Sequence, residues 1–130
     1  MTTIVLPIPP SANKLWRVHR GRAIKSREYR AWLEEASLVV LMARAKAVPP
    51  PVRVVLTLRG GKGFNRARDG DNLFKPTLDL LRHAHIISGD TVIEVPDLEL
   101  HYTEGDKGDD ATFTVTVSSA DSPTTREHEQ

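Results

Sequence analysis

Two stretches of this 130-residue chain alternate apolar and polar residues with a period of two. In 52–58, Val52, Val54, Leu56 and Leu58 share one face, and in 111–117, Ala111, Phe113, Val115 and Val117 do so, with threonines on the other. That period belongs to strands with one buried face, so these segments must lie in a sheet that something covers. The cover is also legible. Tyr29, Leu33, Ala36, Val40 and Ala43 recur at helical spacing behind Ser26, a good N-cap, and predict a helix over 26–47 that Pro49-Pro50-Pro51 ends. Trp32 sits beside that stripe and is expected in the core.

The remaining segments complete an order. Residues 4–8 read as a short strand stopped by Pro9-Pro10-Ser11. A second helix is expected over 72–83. Residues 91–102 read as a long strand interrupted at Pro96-Asp97, joined through the polar segment 104–110 to the last strand as a hairpin. The expected fold is a single α/β (α+β) domain over 1–118. It has a mixed β-sheet packed with two main helices in the order β-α-β-α-β-β. The polar residues 119–130 are expected to form a disordered tail.

Composition narrows the chemistry. The chain has no cysteine, which excludes disulfides, thiolate zinc sites and cysteine nucleophiles. No run has the length of a membrane span, and the first residues lack a signal-peptide pattern, so a cytoplasmic location is expected. The net charge of +1 hides a division: residues 1–68 carry 14 Lys/Arg against 3 Asp/Glu, and 69–130 carry 4 against 14. Such asymmetry suits a polyanion-binding part joined to an acidic part, although a mixed solvated surface would also show it. The cations fall mostly in two segments read as loops. One holds Lys14, Arg17, Arg20, Arg22, Lys25 and Arg27, and the other holds Lys62, Arg66 and Arg68. Trp16 lies among the first group, placed either to stack on a distorted base or to pack against a sheet edge.

The acidic half begins with a compact motif. Asp69 and Asp71 lie two residues apart at the mouth of the second helix, with Asn72 as its expected N-cap. Pro76 then falls in the first turn, where its missing N–H costs nothing. Asp79 lies two turns below Asp71, and Asp90 sits at the next turn. Clustered carboxylates repel, and a divalent cation removes that cost. Mg²⁺ favours such oxygen ligands, so metal-assisted hydrolysis of a phosphodiester is one reading. An acidic turn with a helix cap is the bland one. Lys75, one turn beyond Asp71, could contact a scissile phosphate or simply neutralise Asp71. An EF-hand loop starting at Asp69 fails, because its sixth and twelfth positions hold Phe74 and Leu80. An aspartyl-phosphate site of the haloacid-dehalogenase kind would follow a buried strand directly, and here the basic loop intervenes. His83, His85 and His101 show no regular zinc-ligand spacing.

The run Asp69-Gly70-Asp71-Asn72-Leu73-Phe74-Lys75-Pro76-Thr77-Leu78-Asp79-Leu80-Leu81 resembles the signature D-x-D-N-L-x-K-x-x-x-D-x-L of RusA-type crossover junction endodeoxyribonucleases. Asp90 falls, without a gap, where that family has its third catalytic aspartate. Pro7-Ile8-Pro9-Pro10-Ser11-Ala12-Asn13-Lys14 resembles the family's opening. The likeness runs over about residues 4–117. It implies a homodimer that resolves Holliday junctions, four-way branched DNA, in recombination and repair, each subunit nicking one strand with Mg²⁺ or Mn²⁺. By the same resemblance Asp69, Asp71 and Asp90 would be the catalytic metal ligands and Lys75 the essential lysine, with Asp79 and Asn72 in support. Two departures stand out. Gly89 replaces the first of two adjacent acids common at the third site, and Leu98-Glu99-Leu100-His101-Tyr102 lacks a lysine often found late in that strand. A catalytically silent DNA-binding protein of phage or recombination machinery is the alternative reading.

Overall fold

The computed structural model describes residues 1–11, 15–65, 68 and 70–120. Strand β1 (Thr2–Leu6) is followed by a hairpin of β2 (Trp16–His19) and β3 (Arg22–Lys25), helix α1 (Arg27–Met42) and strand β4 (Val52–Arg59). A 3₁₀ turn (Gly70–Leu73) leads into α2 (Phe74–His83), and β5 (Asp97–Thr103) and β6 (Thr112–Ser119) complete the order. The class is the expected α+β domain with one mixed sheet and two main helices. Among the described residues no helix is long and apolar enough to cross a membrane.

The four-stranded sheet has the order β1-β6-β4-β5. Its centre is the pair of alternating segments. Val115 of β6 faces Ile4 on one side and Leu56 on the other, while Phe113 lies between Leu6 and Leu58. All six side chains are buried. The expected hairpin of the last two strands is not formed. Helix α2 is the crossover that returns the chain parallel to β4, so β5 takes the outer edge, and β6 pairs antiparallel with β1 and β4. The strongly alternating β6 belongs at the centre because both its neighbours can then bury the same layer. The reading of 91–102 as a strand also fails in its first half. Residues 91–94 form a turn whose Val92 and Ile93 are exposed.

Ser26 caps α1, accepting a hydrogen bond from the Tyr29 N–H at 3.1 Å. The helix buries Tyr29, Trp32, Ala36 and Val40, and Trp32 Nε1 donates to Pro7 O at 2.9 Å, tying the helix to the end of β1. It stops at Met42 rather than near 47: Ala43 is the exposed C-cap, and Arg44 turns left-handed with φ 52°. Asn72 is not the N-cap of α2; the buried Leu73 is, because Asp71 and Asn72 are wound into the 3₁₀ turn before it. Pro76 still falls in the first turn of α2. The tail expected from 119 onward lies outside the described residues from 121; β6 itself reaches Ser119.

Phe113 at the middle of the sheet has no exposure. Phe113→Ala should lower unfolding free energy by about 3–5 kcal/mol, read by urea denaturation. A loss well under about 1 kcal/mol would contradict its place between β1 and β4.

Candidate functional site

The 3₁₀ turn presents Asp71 to solvent while the next buried residue, Leu73, anchors it in the core. Asn72 is half-buried. Asp90 is half-buried in the connection after α2. Among the described residues neither Asp71 nor Asp90 has a side-chain hydrogen bond or ion pair. Asp69 lies outside the described residues, and among those described no three His, Asp or Glu side chains converge as a metal site. His83, His85 and His101 are all exposed, and His101 Nε2 lies 3.1 Å from Glu99.

Lys75 does not neutralise Asp71. Its Nζ lies 3.1 Å from Asp79 Oδ1, one turn further on, in an i,i+4 pair. Asp79 is 7% exposed, and a carboxylate so placed needs partners. Tyr29 OH donates to its Oδ2 at 2.5 Å, and an Arg82 nitrogen lies 3.6 Å from Oδ1. The Tyr29 hydroxyl is held well above the usual phenol range, first by burial, then by its hydrogen bond to Asp79 and that residue's negative charge, with Arg82 opposing. The sequence marks Tyr29 only as core. The missing signal is its hydroxyl, since a buried phenol seeks an acceptor.

The turn carrying Asp90 is closed by Glu94. Its Oε1 accepts from the Thr91 N–H at 3.2 Å and the Thr91 hydroxyl at 2.7 Å, and its Oε2 from the Ser88 hydroxyl at 3.4 Å. These bonds, those of Thr91 first, hold the Glu94 carboxyl below its ordinary range. The carboxylate occupies the space beside Gly89, where an added Cβ would run into Oε2. The backbone of Gly89 has no left-handed φ, and the three atoms nearest the added Cβ all belong to Glu94.

The first basic segment is not a loop. Strands β2 and β3 pair antiparallel around Arg20 and Gly21, with φ of 52° and 75°, as a two-residue turn with both central residues left-handed requires. The register separates two faces. Arg17, His19, Arg22 and Ile24 share one, while Trp16, Val18, Ala23 and Lys25 share the other. Trp16 is 42% exposed, meets Tyr29 edge-on at 5.9 Å, and carries Lys25 Nζ 5.9 Å above its ring. Among the described residues Arg17, Arg20, Arg22 and Arg27 are exposed and have no acidic partner. Lys62 is exposed at an isolated bridge to Asp110. Arg68 is different: its Nη1 and Nη2 donate to Pro9 O and Pro10 O at 2.5 and 2.8 Å, and burial lowers its pKa. It ties the N-terminal segment to the acidic motif. Lys14 and Arg66 lie outside the described residues.

The exposed Asp71 at a helix entrance shares this small domain with a ribbon of exposed arginines that have no acidic partner among the described residues. The family model "Endodeoxyribonuclease RusA" matches residues 7–107, and the chain belongs to that family of Holliday-junction-resolving endonucleases. No curated protein matches it.

Two outcomes check the hydrogen-bond networks. A phenol whose folded pKa is raised contributes stability that is full below its unfolded pKa of about 10 and is lost as pH rises past it. Tyr29→Phe should therefore cost about 1–3 kcal/mol near pH 7 and flatten the fall in stability between about pH 9 and pH 11, measured by urea unfolding across that range. Gly89→Ala should lower the melting temperature in the parent but not in a Glu94→Ala background. Equal losses in both would show that Glu94 is not what requires a glycine there.

Proposed function

We propose that this chain is a Mg²⁺-dependent (or Mn²⁺-dependent), structure-selective endonuclease that resolves four-way DNA junctions as a homodimer, in DNA recombination and repair. The observation that carries the reading is the choice made by Lys75. With a cation one turn away, Asp71 stays exposed and without an ion-pair partner among the described residues, while Lys75 pairs with the buried Asp79. An unneutralised carboxylate at the entrance of a helix suits a hard divalent cation.

In this reading Asp69, Asp71 and Asp90 hold the metal, all through carboxylate oxygens. A bound Mg²⁺ supplies an activated water and offsets charge on the phosphodiester under attack. Asp79, held by Tyr29 OH, holds the Lys75 ammonium at 3.1 Å. The Lys75 side chain itself is 57% exposed, so its ammonium can reach a phosphate oxygen from that anchorage. Arg17, Arg20, Arg22 and Arg27, with Lys62, bind the DNA backbone through charge and carry little sequence information. Lys14 and Arg66 belong to the same set. Resolution requires two nicks related by a two-fold axis, which a C₂ dimer supplies. A protein that only binds DNA has no use for unpaired carboxylates near phosphates, which argues against a silent binder.

The test uses purified protein, a synthetic four-way junction and a linear duplex of the same sequence, with and without Mg²⁺. Paired symmetric nicks are expected in the junction only, only with the metal. Asp71→Asn should reduce them by about two orders of magnitude without weakening junction binding. Binding without cutting in Mg²⁺ or Mn²⁺ would overturn the enzyme assignment, and equal cutting of the duplex would overturn the structure selectivity.

A further inference from the structure

Beside the acidic motif, between the ends of β4 and β5, lies a cavity of about 230 Å³. Leu58, Leu73 and Leu100 give it an apolar base, and Phe64 and Tyr102 add two aromatic rings. The ring centroids are 5.9 Å apart and the planes are inclined by 37°. Tyr102 is 40% exposed and Phe64 is half-buried, so the aromatic wall is open to solvent on one side. The ring of Tyr102 lies against Gly60, where an added Cβ would run into its hydroxyl oxygen.

One charged residue borders the cavity. Arg68 lines the cavity, its two terminal nitrogens are committed to Pro9 O and Pro10 O, and its Nε is buried with no hydrogen-bond acceptor among the described residues. Its guanidinium cannot turn to seek another partner without giving up both carbonyls. An apolar base and two π faces match the chemistry of a nucleobase, which offers a flat ring to stack. The volume is below the range of about 300–1,000 Å³ usual for drug-sized ligands, in keeping with a single base. The position fits as well: Gly70 lines the cavity and the next residue is Asp71.

We propose that this cavity receives one unstacked nucleobase of the branched DNA, taken from the nucleotide at or next to the cleaved bond. The proposal rests on the nuclease reading above and adds to it a base-binding site that phosphate contacts do not provide. Extruding a base costs least where its stacking or pairing is already disturbed, as when an enzyme distorts the crossing point.

The test measures junction binding by the full chain in Ca²⁺, without turnover, and cutting in Mg²⁺. A series of four-way junctions carries a single abasic site at each position around the crossover in turn. At one position, removal of the base should weaken binding by about five- to hundredfold. Phe64→Leu and Tyr102→Leu should weaken binding to the intact junction similarly, yet lose nothing further on the junction abasic at that position. Uniform binding across the abasic series would overturn the base site and leave the nuclease reading in place, provided the parent still cuts the intact junction. Equal losses by the variants on intact and abasic junctions would overturn it too. A change of oligomeric mass in Phe64→Leu would make the cavity a protein contact and would likewise overturn the base site. If the parent neither binds nor cuts a junction, both readings fall together.

Discussion

The Asp79 carboxylate ties the two helices together. It comes from α2, accepts from Tyr29 on α1, and holds Lys75 one turn back toward the acidic motif. A carboxylate this buried would be destabilising alone, and its partners are what make the position tolerable. Each partner is thereby constrained in turn. The Tyr29 hydroxyl cannot swing away without stranding Asp79, and the Lys75 stem is drawn down the helix rather than toward Asp71. The cost of burying one acid is converted into a fixed distance between a helix entrance and a cation.

The same tie reaches the basic ribbon. Trp16 at the root of the β2–β3 hairpin lies edge-on to Tyr29, and Tyr29 stacks on Trp32 at 6.4 Å. The ribbon that carries Arg17 and Arg22 is therefore seated on the residue that holds Asp79. On the other side, Arg68 joins the Pro9-Pro10 segment to the start of the acidic motif. Cations of two kinds result. The arginines of the ribbon are exposed and have no acidic partner among the described residues; Arg68 is committed to backbone carbonyls and serves the architecture.

Much of the scaffold is legible in the sequence because it rests on local periodicity. The alternation of 52–58 and 113–117, the Ser26 cap and the stripe through Tyr29, Ala36 and Val40 are all present in the fold. The departures share a cause. The basic segment reads as a loop because its alternation is of charged and small residues, and its turn depends on Arg20 accepting a left-handed conformation. A β5–β6 hairpin follows from proximity in sequence, whereas pairing is decided by which strands can bury the same layer. Residues 91–94 carry strand-forming side chains, but Glu94 bonds back to Thr91 and bends them into a turn.

The acidic run with which the second half opens belongs to the sequence alone: its spacing, the helix that follows it and the family that it marks all come from residue order. What each of its side chains does was decided by tertiary packing. Lys75 has two candidate partners along the sequence, a phosphate and Asp71, and takes a third because Asp79 is buried there beneath Tyr29. Arg68 looks like one more cation for DNA and becomes a tie to Pro9 and Pro10. Spacing along a helix limits which groups can meet; burial selects among them, because a charge removed from water must be paired and one left in water need not be.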